Sequence, residues 1–134
     1  MNSRTFNRLV EISKALKPRR QTGRAFITSF ALRKNKISCI SWNDYNKRHL
    51  EHKFGKYHNY KNLPGEYIAS QHSESKLLIR LGEEDLSDYD ICNIRINNNN
   101  DISLSCPCLN CQKLLAGYNP KAIYYSTVNG FEKL

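Results

Sequence analysis

Two short motifs in this chain hold the residue types that bind metal and move protons: His72-Ser73-Glu74, and Pro107-Cys108-Leu109-Asn110-Cys111 some distance downstream. Cysteines at i and i+3 in the first turn of a helix point the same way and can grip one tetrahedral ion. The positive end of that helix favours negative charge, which lowers a thiol's pKa and helps it bind metal. His72, at the start of the preceding helix, would supply the third ligand. Three protein ligands leave one zinc position open for water, the arrangement of a catalytic site. Glu74, two residues past the histidine, would sit over that position without binding the metal, placed for proton transfer.

The elements around the motifs are those that could hold them in place. Ser3 to Lys17 reads as a helix, with Phe6, Leu9, Val10 and Leu16 at helical spacing, Ser3 as cap and Pro18 as stop. Ala25 to Arg33 has apolar side chains on both faces and reads as a covered strand. The turn Lys34-Asn35-Lys36 then leads into a second strand, Ile37 to Trp42, making an antiparallel hairpin. Residues 44–71 lose all periodicity and form a long basic loop rich in tyrosine and histidine. A helix from His72 to Leu81 ends at Gly82, and a strand follows at Ile91 to Ile96. Asn97 to Asp101 is a turn-rich insert. A third helix, Cys108 to Ala116, carries the cysteines, and a last strand runs from Ala122 to Thr127. The order α-β-β-α-β-α-β implies one domain over residues 1–134, with helices packed on a mixed sheet of about four strands.

Here the chain resembles the zinc-dependent cytidine and deoxycytidylate deaminase superfamily, whose signature is H-x-E followed by P-C-x-x-C. The resemblance covers residues 25–127, with Ser3–Lys17 matching the family's leading helix. It implies a three-layer α-β-α fold, C-terminally short here because larger members continue into a fifth strand and further helices. It also implies Zn2+ held by His72, Cys108 and Cys111. The implied reaction is hydrolysis at C4 of a cytosine ring, giving uracil and ammonia, with Glu74 carrying the protons. By the same resemblance Ser73 would offer its backbone amide to the pyrimidine carbonyl, and Asn43 would contact the sugar. Cys106 stands where the family has Ser or Thr, and its carbonyl, beside Pro107, would receive the leaving amino group. Relatives assemble through helix faces beside the active site, which implies a homo-oligomer.

The substrate implied is a free cytosine nucleotide or nucleoside, as in the deoxycytidylate deaminases, with Lys47 and Arg48 holding a 5′-phosphate. Cytosine in single-stranded DNA or RNA is the alternative, and adenosine in tRNA a third. Charge bears on this choice. The chain has a net charge of +9, and residues 1–71 carry 15 Lys and Arg against 4 Asp and Glu. Such a surplus attracts phosphate on a nucleotide, a nucleic acid or an anionic surface, and also serves solubility. The loop tyrosines would stack on bases or pack onto the sheet. His49, His52 and His58 read as solvent-facing, with a second metal site as the other reading.

Three readings of the cysteines stand beside the catalytic one. Cys106, Cys108, Cys111 and a histidine could form a structural zinc knuckle, or the thiols could be reduced core residues without metal. The chain could also be a zinc-containing nucleic-acid-binding module without turnover. Cys39 and Cys92 fall in strands and read as core. Five cysteines, three of them clustered, suit a reducing compartment better than a disulfide framework. No apolar run approaches the roughly 20 residues of a membrane span, and Met1 to Arg4 shows no secretory signal, so a cytoplasmic protein with no membrane partner is expected.

Overall fold

The computed structural model of the chain describes residues 1–17, 26–43 and 72–134. Helix α1 (Ser3–Leu16) forms because Phe6, Leu9, Val10 and Ser13 recur at three- and four-residue spacing and give it one buried face. Its cap is Asn2 rather than Ser3: the Asn2 side-chain oxygen accepts from the Thr5 amide at 2.8 Å. Asparagine and serine cap almost equally well, so adjacent candidates differ only by where the backbone turns extended. At the other end the Lys17 ammonium donates to the Asn97 carbonyl at 2.6 Å and ties the helix to the sheet. Pro18 and the basic turn after it lie outside the described residues.

Strands β1 (Phe26–Arg33) and β2 (Lys36–Trp42) make the expected hairpin. Lys34 and Asn35 take φ of 53° and 63°, the two positive values that a two-residue turn needs to follow the strand twist. Beyond β1 lies β3 (Asp90–Ile96), antiparallel to it, and β5 (Ala122–Thr127) runs parallel to β3. Two further strands correct the expectation of about four. The short β4 (Ile102–Ser103) pairs with the end of β3, and β6 (Gly130–Lys133) returns antiparallel beside β5. The sheet therefore has six strands among the described residues, in the order β2-β1-β3-β5-β6 with β4 off that path. Nor does the sheet stop short after Thr127, because Val128 and Asn129 turn the chain back onto its own edge.

Alternate residues of a strand face opposite ways, and the two faces bury different partners. Phe26, Phe30, Cys92, Ile94 and Ile96 pack with Phe6, Leu9 and Val10 of α1. Ala31 and Ile91 pack on the other face with Leu77 and Leu78 of α2 (Ser73–Leu81) and Leu114 and Leu115 of α3 (Leu109–Ala116). The expected three layers are present. Each fully buried Leu, Ile or Phe contributes about 1.5–3 kcal/mol. Gly82 closes α2 in the left-handed region at φ 68°, as its position in the sequence indicated. No helix among the described residues is long and apolar enough to cross a membrane.

Buried polar residues interrupt this apolar pattern, among them Thr28, Ser41 and Ser126 and a facing pair. Ser29 in β1 and Asn93 in β3 are fully buried, are direct partners across the strands, and lie on the face covered by α2.

Candidate metal centre

The two motifs open two helices whose N-termini meet. His72 is the N-cap of α2 and Cys108 the N-cap of α3, both with extended backbone and neither with a side-chain capping bond. Their side chains turn instead toward each other. His72 Nδ1 lies 3.6 Å from Cys108 Sγ and 3.4 Å from Cys111 Sγ. Cys111 occupies the first turn of α3, so the i, i+3 spacing brings both sulfurs to one side as expected.

These distances fit one tetrahedral zinc ion. With Zn–S of about 2.3 Å and Zn–N of about 2.0–2.1 Å, a tetrahedron has an N···S edge of about 3.6 Å. All three ligand atoms lie within 4.8 Å of one another, and the trio is the one such group of His, Cys, Asp and Glu among the described residues. The local field suits a cation. Two helix N-termini favour anionic sulfur, and the Cys108 thiol is lowered to about 6, chiefly by its hydrogen bond with Cys111 and then by His72, against the opposing effect of burial. By contrast, burial pushes Cys92 up to about 12, in keeping with its expected place in the core. Cys39 is only half-buried.

Cys106 stands apart from the trio. It is exposed, with its sulfur 3.8 Å from the Gln112 amide nitrogen, which also donates to the Pro107 carbonyl at 2.8 Å. A pocket of about 150 Å³ opens beside the trio, lined by His72, Cys108, Glu74, Ser73, Asn43 and Cys106, with Ile27 and Ser105 completing it. Four of the expected substrate and proton-transfer positions, Asn43, Ser73, Glu74 and Cys106, thus meet at one cavity, while Pro107 is buried and does not line it. Asn43 is locked to the start of β1, its Oδ1 accepting from the Ile27 backbone N–H at 3.1 Å and its own backbone N–H donating to the Ile27 carbonyl. Lys47, Arg48, the three loop histidines and the rest of 44–71 lie outside the described residues.

Glu74 is 5% exposed, and both of its carboxyl oxygens are engaged. Oε1 accepts from Ser73 Oγ at 3.0 Å and Oε2 from Asn93 Nδ2 at 2.8 Å. Ser29 Oγ closes the circuit, 2.7 Å from Ser73 Oγ and 2.6 Å from Asn93 Oδ1. Ser41 Oγ donates to the Ser73 carbonyl, and Ser105 Oγ to the Asn93 carbonyl, so the ring is braced from both sides.

Reasoning from sequence missed Ser29, Asn93 and Ser105. A signal existed for the first two: each is a polar residue inside a strand with apolar side chains on both faces, where burial without a partner is costly. What it lacked was any indication that the strand partners would face the helix carrying Glu74.

No family model matches the chain, and no curated protein matches its sequence. Among solved structures it is similar to the crystal structure of cytidine deaminase from Mycobacterium leprae, with a TM-score of 0.53 and 13% identity. The match covers 99% of this chain and 93% of that one. The chain has the cytidine deaminase-like fold, and within it His72, Cys108 and Cys111 form a cluster suited to a metal ion.

Proposed function

We propose that this protein is a zinc-dependent hydrolytic deaminase that converts cytosine to uracil in a free cytidine or deoxycytidine nucleotide or nucleoside. The observation that carries the reading is the three-ligand cluster opening onto the same pocket as a buried carboxyl. His72, Cys108 and Cys111 would hold the zinc, which when bound would supply the acidity that activates water. Cytosine as the base is supported by the motif pair and by the similar structure's being that of a cytidine deaminase.

Glu74 carries both protons. One goes from water to N3 of the ring; the other goes to the amino group, which leaves C4 as ammonia. The water oxygen remains on C4 as the carbonyl of uracil. Asn43, bonded to Ile27, Ser73 and Cys106 line the pocket, which supports a role for Asn43 at the sugar and for Ser73 and the Cys106 carbonyl at the ring.

A second reading keeps the chemistry and changes the substrate to single-stranded DNA or RNA. Its support is the basic half of the chain, 15 Lys and Arg against 4 Asp and Glu over residues 1–71. A paired assay separates the two on metal-quantified protein. Cytidine, deoxycytidine monophosphate and a cytosine-containing oligonucleotide are offered separately at 50 and 200 mM salt. We expect uracil from the mononucleoside or mononucleotide, with little dependence on salt. An enzyme neutralising four phosphates of a single strand would instead lose about fifty-fold in affinity over that range. Turnover of the oligonucleotide alone, falling in this way, moves the assignment to the second reading.

A further inference from the structure

We propose that Ser29 and Asn93 are positioning residues for Glu74, a clamp built into the sheet that fixes the carboxyl's direction at the pocket. This inference rests on the reading of Glu74 as proton carrier.

The argument begins with the side chain's freedom. A glutamate in the first turn of a helix has three rotatable bonds and would ordinarily reach into solvent. Glu74 does not: it is buried, and each oxygen is held by a different side chain. Ser73 lies on the same helix and moves with it, so it cannot by itself fix the carboxyl relative to the sheet. Asn93 can, because it projects from β3, the strand between β1 and β5. Its 2.8 Å bond to Oε2 references the carboxyl to the most constrained strand of the fold.

Ser29 holds both supports. Its hydroxyl lies within 2.7 Å of Ser73 Oγ and 2.6 Å of Asn93 Oδ1, so it keeps the Asn93 amide from rotating its donor away. Ser29 and Asn93 are paired in register, and a slip of one strand by one residue would put the two side chains on opposite faces of the sheet. Neither residue lines the pocket, so both act through Glu74 and neither touches a substrate there.

The test uses Asn93→Leu, close to asparagine in shape but without a donor, and Ser29→Ala. Turnover of cytidine and deoxycytidine monophosphate is measured together with zinc content. Asn93→Leu is expected to keep one zinc and a KM within about twofold of the parent, while kcat falls about 10–100-fold, the usual range for a residue supporting a reacting group. Ser29→Ala is expected to lose about tenfold in kcat by the same route. Unchanged kcat, or a loss that merely follows lost zinc, would overturn the proposal.

A second readout needs no turnover. The Asn93 side-chain amide, held on a carboxyl, should resonate apart from the exposed asparagines in a nitrogen-15 spectrum. Glu74→Ala should move it toward them, and an unmoved resonance would overturn the clamp even if the enzyme is active. A moved resonance with no cytosine substrate consumed would support the clamp and reject the deaminase reading, so the two failures are distinguishable.

Discussion

Glu74→Gln is expected to retain one zinc ion and the fold while losing about 10²–10⁴-fold in turnover, the range contributed by a positioned proton carrier. Glutamine has nearly the shape of glutamate and keeps both ends of the hydrogen-bond ring supplied. Its carbonyl accepts from Asn93 Nδ2 as Oε2 does, and its amide N–H faces Ser73 Oγ, whose hydroxyl turns from donating to accepting. The ring of four contacts therefore survives, and with it the burial of the side chain. What is lost is the ability to take a proton from water and release it to N3 and the amino group. Measurement of kcat and zinc content on the same preparation checks this. A glutamine variant that turns over cytidine at the parent rate would remove Glu74 from the chemistry. A zinc-containing binding module, by contrast, would bind an oligonucleotide equally well with either residue.

Cys111→Ser is expected to abolish zinc binding and turnover together and to destabilise the fold. Cys111 is 2% exposed and lies 3.4 Å from His72 Nδ1. A serine there replaces a soft thiolate by a hydroxyl that does not ionise, leaving the ion two protein ligands on a site built for three. Zinc at a thousand times its dissociation constant stabilises the folded state by about 4 kcal/mol. For a chain of this size that corresponds to a melting temperature higher by on the order of 15 °C. Calorimetry with and without a chelator reads the effect directly. The parent should melt lower once stripped of zinc and recover on its return, whereas Cys111→Ser should melt at the low value throughout. Identical melting with and without chelator would show that the cluster is a reduced core feature and not a metal site.

The motifs at His72 and Cys108 were legible because each is a helix start, and helix starts are written in local spacing and caps. The same locality made α1, α2 and α3 readable to within a residue or two, and put Gly82 at its left-handed cap. β6 was missed although Asn129-Gly130 is a hairpin signal, because Phe131 to Lys133 is too short to show an alternating pattern. β4, with two residues, has no periodicity to read; its pairing exists only because β3 extends beyond its parallel contact with β5. Asn93 shows the limit most clearly. Its burial could be inferred from Ile91, Cys92 and Ile94 around it, but its partner lies 19 positions away on a different element. Only the assembled sheet brings the two together.

The central claim is an open three-ligand zinc site, and X-ray absorption at the zinc edge of the purified protein tests it most directly. The account predicts one zinc per chain with two sulfurs at about 2.3 Å, one histidine nitrogen at about 2.0–2.1 Å and one further light atom near the same distance. A shell of three sulfurs and one nitrogen would bring Cys106 into the site, close it as a structural knuckle, and contradict the account.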